Sequence, residues 1–247
     1  MLQRDEMIRR IALNWADVRK AVREAAIDAH RDPESIRVIG VSKYVDAPTT
    51  EILVQVGCSD LGESRPQALW QKAEAFGDRL TTSPRENSSD DQRLRWHMIG
   101  HVQTNKIRRM LRFDPLIHSV DSERLLRAID TESIKQDRVT EVLLEVNISG
   151  DEKKTGLSPE QLRAIVTIQG LSGVRINGLM AMAGWGTEGQ QAAQQFRALA
   201  SLRDQIVAST GIPLPELSMG MSGDFRQAIA AGATMVRIGS ALFEGVR

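Results

Sequence analysis

The feature that most constrains the fold is an eightfold alternation of short apolar runs and longer helical patterns. Most runs are continuously apolar rather than alternating with polar residues, which is typical of parallel strands covered on both faces. The runs are Val38–Lys43, Cys58–Gly62, Trp96–Gly100, Leu116–Val120, Val142–Ile148, Ile176–Met182, Leu217–Met221 and Thr234–Gly239. Eight strand–helix units in 247 residues match a (β/α)8 TIM barrel, an α/β fold. The alternative is a doubly wound open sheet, although no Gly-x-Gly-x-x-Gly follows the first run, which argues against its dinucleotide-binding version.

Helical patterns separate the runs, and one more precedes them. Those between the runs are Thr49–Val56, Pro66–Phe76, Asn105–Phe113, Ser122–Ser133, Pro159–Gly170, Gln190–Thr210 and Gly223–Ala231. Before the first run, apolar residues recur at three- and four-residue spacing up to about Ala29, and Asp32-Pro33 ends the pattern. We therefore expect residues 1–31 to pack as an extra N-terminal helix on the barrel, and residues 1–247 to form a single domain.

Composition limits the partners and the cellular compartment that we expect for the protein. Lys plus Arg equals Asp plus Glu, 32 each, so charge gives no reason to expect a nucleic acid or membrane partner. The single cysteine, Cys58, allows no internal disulfide, and it fits a small buried residue better than a nucleophile. No apolar run reaches about 20 residues and no secretory core opens the chain, so we expect a cytoplasmic protein. The segments Thr81–Gln92 and Gly150–Gly156 have the composition of surface loops.

In a barrel, the functional face lies at the carboxyl ends of the strands. Polar residues cluster there along the predicted order, and the last two runs carry the strongest signal. The residues are Lys43, Glu63, Ser64, His97, His101, Asp121, Asn147, Ser149, Ser222, Arg237 and Ser240.

The seventh and eighth runs each end in small residues and a serine directly before a helical segment. These turns are Met221-Ser222-Gly223 and Gly239-Ser240. Small residues let backbone N–H groups approach a ligand, and helix N-termini favour anions. A single such turn is explained well enough by helix capping, but two on adjacent strands favour a phosphate site, which barrels often hold at this position.

Side-chain alternation brings two cations toward that site. If Lys43 points into the barrel, Ile39 and Val41 do so too, while Ser42 faces the helices. Arg237 lies inside an apolar run, where a charge is costly unless it is paired, and the first and eighth strands are neighbours in a closed barrel. The plainer interpretations are a snorkelling surface lysine and an arginine in an ion pair. A lysine beside a phosphate site suggests a Schiff base, either in a sugar-phosphate aldolase or in a pyridoxal phosphate (PLP) protein. Spacing alone leaves both open.

The chain also resembles a known family, the pyridoxal phosphate homeostasis proteins, which are relatives of the alanine racemase N-terminal barrel and belong to the fold type III PLP proteins. The resemblance covers nearly the whole chain in order, and its closing pair of motifs is the most specific. The motifs are VSK (41–43), LGES (61–64), WHMIGHVQTNK (96–106), VNIS (146–149), KTG (154–156), GLMAM (178–182), LSMGMSGDF (217–225) and AAGATMVRIGSALFEG (230–245).

The resemblance implies PLP as the cofactor and a role for each matching residue. Lys43 would form the Schiff base, and Arg237 would face the pyridine nitrogen. Ser222, Gly239 and Ser240 would bind the phosphate with backbone help from Met221, and Ser218, His97 and Ser64 would lie in or near the pocket. The resemblance assigns no metal ligand.

The expected function is to carry or buffer PLP in vitamin B6 homeostasis, without robust catalysis and with no catalytic residue assigned. A guanidinium at the ring nitrogen keeps that nitrogen unprotonated and weakens the cofactor as an electron sink. The racemase relatives use a tyrosine base from a dimer partner and a second domain, whereas the only tyrosine here is Tyr44. The alternative is an amino acid racemase or lyase that uses the same Schiff base, with Tyr44 or His97 as base. We expect a monomer that hands PLP to apo-enzymes.

Two positions depart from the family pattern. Many relatives have Gly-Glu-Asn-Tyr after the second strand, where this chain has Gly62-Glu63-Ser64-Arg65, so a ring-side amide is replaced by the shorter Ser64 hydroxyl. Many have Gly-x-Leu-Gln after the third strand, where His101 and Val102 now fill the second and third places. We interpret His101 as a loop residue.

Overall fold

Eight parallel strands close into a barrel in chain order, with β1 hydrogen-bonded to both β2 and β8. The strands are β1 (Arg37–Val41), β2 (Asp60–Glu63), β3 (Arg95–Met98), β4 (Leu116–Val120), β5 (Thr140–Glu145), β6 (Val174–Met180), β7 (Glu216–Ser218) and β8 (Met235–Ile238). The structure is a computed structural model that describes residues 3–77, 94–150, 155–184, 187 and 189–246. The predicted barrel is confirmed and the open-sheet alternative is wrong. The predicted loop Thr81–Gln92, and residues 151–154 of the second one, lie outside the described residues.

Helices surround the barrel where the apolar periodicity predicts them. They are α1 (Arg4–Asp28), α2 (Ala47–Gln55), α3 (Pro66–Phe76), α4 (Ile107–Met110), α5 (Glu123–Lys135), α6 (Pro159–Val166), α7 (Gln190–Thr210) and α8 (Phe225–Ala230). Side-chain caps fix several starts: the Asp46 carboxylate accepts from the Thr49 N–H, and Ser158 forms a reciprocal capping box with Gln161. Within the described ranges, no helix combines the length and apolar character needed to cross a bilayer.

The predicted extra helix α1 is present and covers the barrel beside its last strand. Its buried stripe is Ile11, Trp15, Val18, Val22, Ala25 and Ala26. The helix packs against α8 and against a 3-10 turn at Ser240–Phe243. Two side chains fasten it: Asn14 Nδ2 donates to the carbonyls of Leu242 and Glu244, and Arg31 Nη1 donates to those of Ile229 and Ala233. These bonds tie α1 and the segment after it to the chain around α8 and the 3-10 turn.

The barrel interior is layered by polarity. Its middle is apolar and consists of Ile39, Leu116, Leu143, Met180 and Met235. Below this layer, at the amino ends of the strands, lies a charged layer that we call the floor, formed by Arg37, Asp60, Arg95, Glu141 and Glu216. Arg37 lies 3.6 Å from Asp60 and 3.7 Å from Glu216, and Arg95 pairs with Glu141. The carboxyl ends of the strands form the opposite opening, the mouth.

Candidate functional site

Lys43 lies at the mouth, in the turn directly after β1 rather than in the strand. Its side chain is exposed, and Nζ lies 4.8 Å from the centroid of the Tyr44 ring. The predicted alternation is confirmed on both sides: Ile39 belongs to the interior layer, and a Cβ at Gly40 would lie 2.7 Å from Cys58 Sγ, outside the barrel. Lys43 therefore continues the alternation of the inward-facing residues of β1, and its side chain is exposed at the mouth.

The residue before Lys43 is held from the outer side of the barrel. The Ser42 hydroxyl donates to Glu63 Oε1 at 2.7 Å, and Lys72 Nζ of α3 donates to the Ser42 carbonyl at 2.8 Å. Lys72 and Glu63 form a buried ion pair with Nζ 2.5 Å from Oε1. We call Ser42, Glu63 and Lys72 the wall cluster. Glu63, which the sequence placed among the polar residues of the mouth, thus faces α3, because it alternates with Gly62 along β2.

The loops after β7 and β8 meet the end of β1. The Gly239 N–H donates to Ser222 Oγ at 3.4 Å, which joins the two predicted phosphate turns. Gly40 pairs with Ile238, so the next step of the ladder brings Val41 beside Gly239. A Cβ on Gly239 would lie 3.3 Å from Val41 Cβ, which leaves little room for a larger residue. Ser240 begins the 3-10 turn and is exposed. Lys43, Ser222, Gly239 and Ser240 therefore share one end of the barrel.

Met221 and Ser64 lie at the same end of the barrel, and the backbone of each is in close contact with a neighbouring residue. The Met221 N–H donates to Asp224 Oδ1 at 2.5 Å, so it reaches a phosphate only if Asp224 releases it. Ser64 follows β2, and its carbonyl oxygen would lie 2.3 Å from a Cβ on Gly100. Position 100 therefore needs glycine, and the loops after β2 and β3 are in close contact.

Arg237 is buried in the interior just above the apolar layer, with 4% of its surface exposed. Its Nη1 donates to the Ser218 carbonyl at 2.8 Å and to Ser218 Oγ at 2.6 Å, and Nη2 donates to the Ala181 carbonyl at 3.0 Å. These neutral oxygens, rather than a paired carboxylate, are the hydrogen-bond acceptors. Burial lowers the pKa of Arg237 to about 10, against the opposing effects of Asp224 and Glu145, so the guanidinium stays charged at neutral pH.

A hydrogen-bond chain that the sequence did not predict runs from the floor to Arg237. His97 Nε2 lies 2.8 Å from Asp60 Oδ1, and His97 Nδ1 lies 2.9 Å from His118 Nε2. His118 Nδ1 lies 2.8 Å from Ser218 Oγ, which Arg237 also contacts. Both histidines are fully buried. His97, expected in or near the pocket, therefore reaches Arg237 only through His118 and Ser218. The available signal was a histidine inside each of two apolar runs, a pattern that core histidines also give.

Glu145 is a second residue that sequence reasoning missed. It ends β5, is nearly buried, and accepts a hydrogen bond from Thr155 Oγ1 at 2.8 Å. Burial raises the pKa of Glu145, with a further contribution from Asp121 and opposition from Thr155 and Arg237. Glu145 ends β5 two residues after Leu143 of the apolar layer, so it lies on the mouth side of the interior.

Two depressions adjoin the loops after β7 and β8. One of about 360 Å³ is lined by Ser240, Ala241, Phe243 and Glu244. A second of about 240 Å³ is lined by Ser222, Ile238, Ala241 and Glu244 together with residues of α1. Neither includes Lys43, so the lysine borders this region rather than lining either depression. In the described part of the chain, no three His, Cys, Asp or Glu side chains come together as a metal site requires.

Cys58 does not contribute to the site. It is 1% exposed and burial raises the pKa of its thiol to about 12, so it stays protonated and unreactive at neutral pH. The prediction of a small buried residue is confirmed.

The chain is a closed (β/α)8 barrel with an extra N-terminal helix and a lysine just after β1, and it matches a known family of such barrels. The family described as alanine racemase, N-terminal domain, matches residues 46–246, a range that begins just after Lys43. Pyridoxal phosphate homeostasis proteins of Pseudomonas aeruginosa and Aquifex aeolicus are 36% and 35% identical to this chain. They cover 94% and 92% of this chain, and the alignments span 94% of each relative. The chain belongs to the pyridoxal phosphate homeostasis protein family.

A solved structure agrees with this assignment. PipY of Synechococcus elongatus, determined with PLP bound, superposes with a TM-score of 0.78 at 29% identity. The match covers 94% of this chain and 99% of PipY.

Proposed function

We propose that this protein binds PLP at the mouth of the barrel and serves PLP homeostasis by carrying or buffering the cofactor. The observation that carries the proposal is the meeting of three strand ends, where Lys43 follows β1 and the Ser222–Gly239 contact joins the loops after β7 and β8. The family membership supports the same ligand, since the curated relatives are named for PLP homeostasis and PipY holds PLP.

The residues present fit the chemical groups of PLP. When bound, PLP supplies an aldehyde that a lysine amine can attack with loss of water, an aromatic ring nitrogen and a phosphate. Lys43 is the exposed amine for covalent attachment. Ser222, Gly239 and Ser240 would bind the phosphate, with Met221 after its release from Asp224, and Arg237 would offer N–H donors to the ring nitrogen. Ser64 would border the ring, and Ser218 and His97 would act through Arg237.

We propose further that the protein has no robust catalytic activity. Proton abstraction from a substrate needs a base within hydrogen-bond reach. Tyr44 is 70% exposed beside Lys43, and both ring nitrogens of His97 are already engaged by Asp60 and His118. His97 is therefore not presented to a bound amino acid. This supports a carrier over an enzyme.

The alternative of a racemase or lyase is favoured by one observation, the Glu145 carboxyl near Arg237. Its raised pKa is of the kind found in general acids and bases. Incubation of PLP-loaded protein with single enantiomers of amino acids separates the two functions. Turnover that exceeds the protein concentration and is lost in Glu145→Gln would establish the enzyme, and no turnover supports the carrier.

We also propose a cytoplasmic monomer that delivers PLP to apo-enzymes. Exposed apolar side chains follow three strands at the mouth: Tyr44 after β1, Met182 after β6 and Met221 after β7. Such residues around a cofactor site suit a transient contact with a receiving enzyme. Sedimentation of the loaded protein tests the monomer, and transfer of PLP to an apo-enzyme, measured with and without a PLP-scavenging step, tests direct delivery.

The visible spectrum of the purified protein tests PLP binding itself. Wild type mixed with PLP is expected to turn yellow, and Lys43→Ala is expected to lose the band. Lys20→Ala, which removes an exposed lysine of α1, is the matched control and should keep it. A wild-type protein that stays colourless after addition of PLP would overturn the proposed function.

A further inference from the structure

The hydrogen-bond chain inside the barrel has five members in a continuous order. They are Asp60, His97, His118, Ser218 and Arg237, and successive polar atoms lie 2.8, 2.9, 2.8 and 2.6 Å apart. The chain starts at the floor and ends beside the mouth, and its three central members are fully buried. Each ring nitrogen of both histidines has a partner within this series.

The chemistry of the two ends decides which way the chain points. The Asp60 carboxylate only accepts, so His97 must carry its proton on Nε2 and present Nδ1 as an acceptor. His118 must then donate from Nε2 to His97 and accept at Nδ1. The donor to Nδ1 is the Ser218 hydroxyl. The Ser218 oxygen accepts in turn from Arg237, which has no acceptor at all. Donation therefore runs from Arg237 through Ser218, His118 and His97 to Asp60.

The opposite direction fails at the floor. If His118 donated to Ser218, His97 would carry its proton on Nδ1 and turn the Nε2 lone pair toward the Asp60 carboxylate. That arrangement requires an extra proton on either group. Burial lowers the pKa of both histidines, at His97 against the opposing effect of Asp60. Burial would raise the pKa of Asp60, but the hydrogen bond from His97 and the charge of Arg37 contribute to a net lowering. The chain therefore holds neutral imidazoles and a charged carboxylate, the state that the first direction needs.

We propose that Asp60 sets the direction of this chain and, through His97 and His118, commits the Ser218 hydroxyl to accept from Arg237. Asp60, His97 and His118 are then positioning residues for the guanidinium that faces the ring nitrogen. The inference about the ring nitrogen rests on the proposed function, whereas the direction of the chain does not. Neither Asp60 nor His118 was expected at the site from the sequence, and neither contacts Arg237.

The direction can be measured without PLP. Long-range ¹H–¹⁵N correlation spectra of ¹⁵N-histidine protein distinguish the two neutral tautomers. A background of His30→Asn and His101→Gln removes the two exposed histidines, so that only His97 and His118 remain. Both should be Nε2–H tautomers at neutral pH. A Nδ1–H tautomer, or a charged ring, at either position would overturn the proposal. This measurement leaves all five hydrogen-bonded residues, from Asp60 to Arg237, unchanged.

The origin of the direction is tested with Asp60→Asn, which removes the charge at nearly constant shape. Loss of the charge removes the obstacle to the reverse direction, so the Nδ1–H population should rise at His118, which does not touch residue 60. Ser59→Ala is the matched control, because Ser59 donates to Asp60 Oδ2 while His97 uses Oδ1. The control should leave both tautomers as in wild type. An unchanged His118 in Asp60→Asn would contradict the proposal.

The link to PLP is tested by a double-mutant cycle. Asp60→Asn and Ser218→Ala should each weaken PLP binding about 3- to 10-fold, the size of one hydrogen bond, and shift the visible band. Because both act on Arg237 through one chain, the double variant should bind no more weakly than Ser218→Ala alone. Additive losses would show that Asp60 acts independently of Arg237. If wild type binds no PLP, the proposed function fails while the tautomer result still stands.

Discussion

Two lysines lie at the end of β1 in opposite environments, and the difference separates a structural lysine from the lysine that we propose attaches PLP. Lys72 lies in the wall cluster, buried, paired with Glu63 and bonded to the Ser42 carbonyl. Lys43 is the next residue after Ser42, but it lies on the mouth side and is exposed. The same backbone segment thus anchors one ammonium group and presents the other. Rigid support from behind with a free surface in front is the arrangement that a covalent cofactor site needs.

The largest expected effect comes from replacing the lysine at the mouth. Lys43→Met should abolish covalent PLP capture, because no other amine follows β1, yet change the free energy of unfolding by less than about 0.5 kcal/mol, as for most exposed residues. Borohydride reduction followed by mass spectrometry of the peptides measures the capture. An adduct of wild-type yield on another lysine would show that the comparison assigns the wrong residue.

The same substitution at the wall should have the reverse outcome. Lys72→Met leaves the Glu63 carboxylate buried without its charged partner, which typically costs about 3–5 kcal/mol of stability. Any PLP that binds to the folded fraction should still be captured at Lys43. Urea denaturation gives the loss, and Lys72→Met with Glu63→Gln should recover part of it by removing the orphaned charge. A loss below about 1 kcal/mol in the single variant would mean that the wall cluster does not support β1.

The dependence of stability on pH distinguishes buried groups that are charged from buried groups that are neutral. The pKa of His97 and that of His118 are lowered by burial, so the unfolded chain takes up protons first as pH falls below about 6.5. Stability should therefore fall in that range, by at most about 1.4 kcal/mol per pH unit for each histidine. Denaturation at pH 7.5, 6.5 and 5.5 measures the slope. The His30→Asn, His101→Gln variant should keep it, and a flat profile would contradict neutral buried histidines.

The smallest expected effect compares two buried carboxyls. Glu63 has the Lys72 ammonium beside it, whereas Glu145 accepts from the neutral Thr155 hydroxyl and has a raised pKa because it is buried. A raised pKa means that ionisation costs stability at high pH and nothing below about pH 4. Glu145→Gln, which can still accept from Thr155, should therefore gain on the order of 1 kcal/mol at pH 8 and nothing at pH 4. Thermal unfolding at the two pH values checks the difference, and equal changes at both would contradict it.

The sequence predicted the barrel and the mouth for physical reasons that the pattern expresses locally. Apolar runs of the right length and number specify strands, and the period of two determined that Ile39 faces inward and Ser42 outward. The wall cluster and the histidine chain were not predictable in this way. His118 and Ser218 are 100 residues apart, and their contact depends on the closed barrel. Lys72 on α3 resembled any other helix lysine until the strand order placed Glu63 against it.

The position of the N-terminal helix sets the order of events during synthesis. The bond from Asn14 to Leu242 joins residues separated by 228 positions, and the apolar face of α1 packs on α8 and the Ser240–Phe243 turn. At 5–20 residues per second, a ribosome needs roughly 10–50 s to reach those partners after making α1. For that time α1 has its early partners, α2 and the turn at Pro33–Ser35, but lacks the surface that α8 and the Ser240–Phe243 turn supply. A nascent chain of this protein thus keeps part of its first helix uncovered until α8 and the Ser240–Phe243 turn are made, when the barrel can also close.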